Sequence, residues 1–117
     1  MAKIKVYAGV CGFVAEIDAT SEDMRYVALN IKSDCPDIKR LGSDLKAEPV
    51  DSFKEIECHN IGGVEPGHTF IDTRIYKRSS LYLHCSDCPV PAGIMKAVML
   101  SAGLALPRNS SIEVLEK

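Results

Sequence analysis

Three runs near the start of the chain alternate apolar and polar residues with a period of two. Ile4, Val6 and Ala8 are interleaved with Lys3, Lys5 and Tyr7; Phe13, Ala15 and Ile17 with Val14, Glu16 and Asp18; Val27, Leu29 and Ile31 with Tyr26, Asn30 and Lys32. That period sends alternate side chains to opposite faces of an extended backbone, so each run predicts a strand with one face in a core. Turn sequences at Val10-Cys11-Gly12 and over Ala19–Asp23 separate the runs. The simplest arrangement is a three-stranded antiparallel meander.

After Pro36 the spacing changes to three and four. Ile38, Leu41 and Leu45 share one face of a predicted helix, with Asp37, Lys39, Arg40 and Asp44 facing water. Cys35 takes the N-cap, Pro36 the first helical position, where a missing N–H costs nothing, and Asp37 a place that complements the helix dipole. The helix must stop before Pro49, because a proline drives the residue ahead of it out of the helical region. Asp51 or Ser52 caps a short second helix through Phe53, Ile56 and Cys58, which ends in the loop His59-Asn60-Ile61-Gly62-Gly63. Glu65-Pro66-Gly67-His68 is a turn, and Phe70–Tyr76 and Leu81–Leu83, with β-branched and aromatic content, predict short extended segments. Ala92–Leu104 is apolar on nearly all sides, so a helix there packs on the sheet with one face and on other protein with the opposite face. Gly103 and Pro107 end it, Arg108-Asn109-Ser110 turns the chain, and Ile112 and Val114 predict a last strand.

Strands first, helices after and one strand last is the order of an α+β fold. The expected architecture is a two-layer sandwich: a mainly antiparallel sheet, made of the N-terminal meander plus the C-terminal strand, with helices packed on one face. A chain of 117 residues and 12.8 kDa suits a single domain over residues 1–117 that buries a core without cross-links. With 46% apolar and 26% charged residues, the composition is that of a globular protein. A net charge of −2 provides no basic footprint, so a nucleic-acid partner is not expected. The longest apolar stretch, Pro91 to Pro107, contains Lys96 and is short for a bilayer, so no membrane partner is expected either.

Cysteine changes this picture. Five are present, an odd number, and no export signal is read at the start, which together predict a reducing, cytoplasmic setting and thiol chemistry instead of disulfide scaffolding. The tetrapeptide Ser-Asp-Cys-Pro occurs twice, at Ser33–Pro36 and Ser86–Pro89, each time where strand-like residues give way to helix-like ones. Unpaired N–H groups at a helix start favour a thiolate, the form that binds metal or attacks a disulfide. Cys85 lies three residues before Cys88, and Cys11 sits in the first turn. If the first strand runs upward, the Cys11 turn is at the top and the third strand delivers Cys35 to the same edge; a long helix that descends from Cys88, as it must if the last strand rises beside it, puts Cys85 and Cys88 there too. Cys11, Cys35, Cys85 and Cys88 would then form a four-thiolate constellation suited to tetrahedral zinc or to an iron-sulfur cluster.

Simpler readings compete. Buried cysteine behaves as a small hydrophobe, the preferred reading for Cys58, and Cys-Pro can merely start a helix. His59 and His84 are spare ligand candidates, whereas His68 beside a turn reads as a surface residue. Asp34 and Asp87 read as caps rather than as an acid-base pair. The run Leu81–Cys88 reads as strand, Cys-x-x-Cys and helix, the local arrangement of a dithiol redox protein, with the order of elements elsewhere against that fold. Asp87 would also oppose thiolate formation. The sequence contains no phosphate-binding glycine loop, Ser-centred elbow or His-Glu-x-x-His helix.

Cys88-Pro89-Val90-Pro91-Ala92-Gly93-Ile94-Met95-Lys96-Ala97, the later Ala102–Pro107, and the early Cys11-Gly12-Phe13 and Ser33–Pro36 resemble a family of small uncharacterised proteins of anaerobic bacteria and methanogenic archaea. That resemblance implies an anaerobic cytoplasmic setting, in which an oxygen-sensitive cluster survives, and no activity. Three functions are therefore expected in turn: a metal- or iron-sulfur-binding protein using the four cysteines; a dithiol protein using Cys85 and Cys88; or a non-catalytic homodimeric module that buries the far side of the Ala92–Leu104 helix.

Overall fold

The computed structural model describes residues 1–57 and 72–117. Its sheet has four antiparallel strands in the order β1 (Ala2–Tyr7), β2 (Val14–Thr20), β3 (Tyr26–Ser33) and β4 (Val50–Asp51). Four helices are described: α1 (Pro36–Lys46), α2 (Ser52–Glu57), α3 (Arg74–Tyr82) and α4 (Val90–Ser101). The meander forms as its alternation requires. Ile4 is opposite Ile17, which is opposite Ile31, and Lys5 is opposite Glu16, which is opposite Lys32. Apolar and charged residues thus segregate to the two faces, and a slip of one residue would invert them.

On the inner face, Ala15, Ile17, Ala19, Val27 and Leu29 are buried and meet Ile38, Leu41 and Leu45 of α1 and Ile94, Ala97 and Val98 of α4. The fold is α+β, with helices packed against an antiparallel sheet. α1 has Cys35 at its N-cap and Pro36 in the first turn, as its sequence predicts, and Gly42 lets it lie close on Ile31. α4 covers β1 and β2. A Cβ added to Gly93 would stand 2.3 Å from Val6 Cγ2, so only glycine permits this approach. At its other end α4 closes in a Schellman motif: Gly103 adopts φ +74°, its N–H donates to Leu100 O and the Leu104 N–H donates to Met99 O at 2.8 Å. Gly103 lies against Met24 in the β2–β3 turn, so α4 runs from the Val6 end of the sheet to the opposite end.

Three sequence expectations are corrected. The strand through Ile112 and Val114 does not form: residues after Ala105 have no regular structure, both side chains are exposed, and the fourth strand is instead Val50–Asp51, paired with Tyr26 and Val27. Residues 111–115 pair with no strand of their own chain among the described residues, and alternation alone does not make a strand. The extended segments at Phe70–Tyr76 and Leu81–Leu83 are replaced over Arg74–Tyr82 by α3; Phe70 and Ile71 lie outside the described residues. Thr73 caps that helix by accepting the Tyr76 N–H, and Glu55 of α2 accepts the N–H groups of Arg74 at 3.0 Å and Ile75 at 3.2 Å. Two caps from side chains and a buried Ile75 outweigh the local strand preference. Finally, the long helix spans Val90–Ser101 rather than Ala92–Leu104, with Pro89 at its N-cap. The readings for Cys58, His59, His68, Gly62-Gly63 and Pro66-Gly67 lie outside the described residues.

Candidate functional site

The strand register brings the sequence-distant thiols toward one end of the sheet. Tyr7 pairs with Val14 and Ala15 with Ser33, so the end of β1, the start of β2 and the end of β3 share one pole. Cys11 occupies the turn between β1 and β2, which is closed by the Gly12 N–H donating to Gly9 O at 2.9 Å and the Ala8 N–H donating to Phe13 O at 3.1 Å. Gly9 at φ +89° and Gly12 at φ +74° make the tight reversal that leaves Cys11 exposed at its tip. Cys35 follows β3 by two residues. Its N–H donates to Ser33 Oγ and its carbonyl accepts the Lys39 N–H, so the thiol is fixed at the α1 start without itself capping the helix.

The other pair arrives from the helical layer. α3 docks on α1 through Tyr82, whose hydroxyl donates to Asp44 Oδ2 at 2.6 Å, and through Arg78, 3.1 Å from Asp44 Oδ1. Leu83 ends α3, and the His84 N–H donates to Asp37 Oδ2 at 3.2 Å while His84 Nδ1 lies 2.8 Å from the same oxygen. Arg40 pairs with the other Asp37 oxygen. The hydrogen bond from His84, above all, holds the Asp37 carboxyl below its ordinary value of 3.8, with partial burial opposing it. This grip sets the next four residues on the α1 start: Cys85-Ser86-Asp87-Cys88 forms a turn in which the Cys88 N–H donates to Cys85 O at 3.3 Å, and α4 begins two residues later.

Cys11, Cys35, Cys85 and Cys88 all line one cavity of about 450 Å³, together with His84, Asp37 and Asp87 and an apolar wall that includes Phe13, Ile38 and Val90. All four are free thiols; Cys11 and Cys85 are exposed, Cys35 and Cys88 half-buried. Burial pushes the Cys88 thiol above its ordinary 9.0; the Val90 N–H opposes that, and the negative charges of Cys11, Cys35 and Cys85 add to it. Among the described residues no three Cys, His, Asp or Glu side chains stand in metal-holding geometry. The larger depression, about 760 Å³, runs along β3 and α1 past Lys32, Lys39 and Lys46 and contains no cysteine. It is open surface bearing lysines, whereas the thiols line the other cavity.

Sequence reasoning missed the link between Asp37 and His84. It read each singly, Asp37 as a dipole partner and His84 as a spare ligand, and nothing in the sequence pairs residues 47 apart. Neither the curated proteins nor the solved structures contain a match to this chain. Residues 2–114 match a family of unknown function, DUF6951, a span that includes every strand and helix described above and all four cysteines of the cavity. The chain therefore belongs to the DUF6951 family.

Proposed function

We propose that this is a cytoplasmic metal-binding protein whose ligands are Cys11, Cys35, Cys85 and Cys88, loaded with zinc or an iron-sulfur cluster. The observation that carries the reading is the shared cavity: thiols supplied by a hairpin turn, a helix N-cap and a Cys-x-x-Cys turn open into one space. Thiolates are the preferred ligands of both groups. The charges that push the Cys88 thiol up are those a bound cation would neutralise, so ionisation of the set and metal uptake favour one another. Two of the thiols, Cys11 and Cys85, sit on exposed turns. Ligation requires those turns to close on the half-buried Cys35 and Cys88, which are packed on the core.

His84 and Asp37 suit a supporting role. An imidazole whose Nδ1 is engaged by a carboxylate has its tautomer and orientation set, leaving Nε2 for a ligand or a proton. The dithiol reading, with either Cys85 or Cys88 attacking, is less well supported because it gives Cys11 and Cys35 no part in the shared cavity.

Anaerobic purification with metal analysis and an absorption spectrum tests the proposal. The expected result is stoichiometric zinc or iron, lost in Cys35→Ser and Cys88→Ser variants. A colourless protein without zinc or iron, with four freely titrating thiols that also fail to take up cobalt(II), would end it. A reversible Cys85–Cys88 disulfide in metal-free protein would transfer support to the dithiol reading.

A further inference from the structure

The sheet ends in an open strand. Among the described residues β1 pairs only with β2, so its outer N–H and C=O groups form a template for another strand. The inward-facing Ile4 and Val6 of β1 are only half-buried, whereas Ala15 and Ile17 beside them on β2 are 1% and 0% exposed. Lys3 and Lys5 line the outward face of the same edge. This edge presents an apolar row, a basic row and an unused ladder.

Residues 111–115 have the complementary pattern. In a strand, Ile112 and Val114 would share one apolar face, and Glu113 would stand on the other between Ser111 and Leu115. The two apolar side chains are 89% and 85% exposed, so among the described residues they have no packing partner that buries them. Their approach to the molecule is fixed instead along α4, where Lys96 Nζ donates to Arg108 O at 2.7 Å and the Arg108 N–H donates to Leu106 O at 2.8 Å. The family match extends through residue 114, so this apolar pair belongs to the family's common region.

We propose that residues 111–115 pair with the β1 edge of a second copy of this chain, each copy donating its segment to the other. Ile112 and Val114 would cover Ile4 and Val6, and Glu113 would lie on the Lys3 and Lys5 side. Reciprocal donation closes with two-fold symmetry and leaves neither β1 edge open. This interface is distinct from one through the outward face of α4, and it does not depend on the thiols.

Light scattering coupled to size-exclusion chromatography of the full chain tests it. The expected mass is twice 12.8 kDa for the wild type and the monomer value for Ile112→Lys/Val114→Lys, with the helical part of the far-ultraviolet circular dichroism retained because those side chains are exposed in their own fold. Glu113→Lys is expected to weaken the dimer at low salt and less so at high salt. A wild-type monomer overturns the proposal, as does a double variant that remains dimeric, which would place the contact on another surface such as α4. Protection of the Ile112 and Val114 amides from hydrogen exchange in a monomer would also overturn it, by showing that the segment joins its own sheet.

Discussion

Glu55 offers a sharp test of how the helical layer is held. Its side chain is 3% exposed, and its two oxygens accept the first N–H groups of α3, from Arg74 and from Ile75, the latter fully buried. Hydrogen bonds to a charged acceptor contribute about 1.5–3 kcal/mol each, and an unpaired buried donor costs about 1–3 kcal/mol. Part of this gain is offset, because burial raises the Glu55 carboxyl above its ordinary 4.5 despite both N–H groups and Arg74 acting the other way. Glu55→Ala removes both acceptors and leaves a void, for an expected net loss of about 2–4 kcal/mol. At a slope of about 1.5 kcal/mol per molar urea, the unfolding midpoint should fall by about 1–3 M.

Glu55→Gln separates shape from charge. Its amide keeps the volume but has one accepting oxygen, so one of the two N–H groups loses its acceptor and at pH 7 the variant should lie between the wild type and the alanine variant. A raised folded value gives a contribution that is full below the unfolded value and lost as pH rises through the folded one. Wild-type stability should therefore carry a downward component above about pH 4.5 that the glutamine variant lacks. Urea melts of both variants from about pH 4 to about pH 8 decide the matter. An alanine variant within about 0.5 kcal/mol of wild type refutes the capping role.

Two further outcomes concern the thiol end of the molecule and the acid limb of stability. Gly93→Ala should lower the melting temperature: forcing a Cβ 2.3 Å from the stiff Val6 side chain costs about 1–3 kcal/mol, of which better helix propensity returns about 1. It should also reduce metal retention, since α4 follows Cys88 and β1 leads to Cys11; a variant as stable as wild type would mean that the contact is slack. The carboxyls of Asp37 and Asp51 are held below 3.8, by His84 and by the two-pronged Arg25 contact respectively. Their stabilisation is present above the ordinary carboxylate value and lost as pH falls through the lowered ones, so an acid titration of the urea midpoint should show a decline below about pH 4 that shrinks in Asp51→Asn.

The meander was legible because its alternation is uninterrupted and its register follows from which face must be buried. α1 was legible too, since Ile38, Leu41 and Leu45 repeat at helical spacing behind a Cys-Pro entrance. α3 was hidden by chemistry: the position one turn after Ile75 is Ser79, a buried serine whose hydroxyl donates to Ile75 O at 2.6 Å, so a core position looks polar. Its cap comes from Glu55, in a separate helix, which no local window contains. β4 is two residues long and has no period to read. For the candidate site, the placement of Cys11 and Cys35 at one pole could be traced through strand direction, whereas Cys85 and Cys88 were placed there through a last strand that does not form; α4 runs away from that pole because it packs along β1 and β2. The Asp37–His84 contact could not be traced, because it depends on how α3 docks on α1 through Asp44.

The buried cluster that unites sheet and helices consists, among the described residues, of aliphatic side chains from Ala15 to Ala102; Cys35 and Cys88 only border it, and Cys11 and Cys85 stay outside. Hydrophobic closure is thus complete before any sulfur is used. Small zinc modules collapse when chelated because their interior is the ion itself. In this chain, an ion taken up at the proposed cysteine site would meet a scaffold already built, so folding and loading would be separable events.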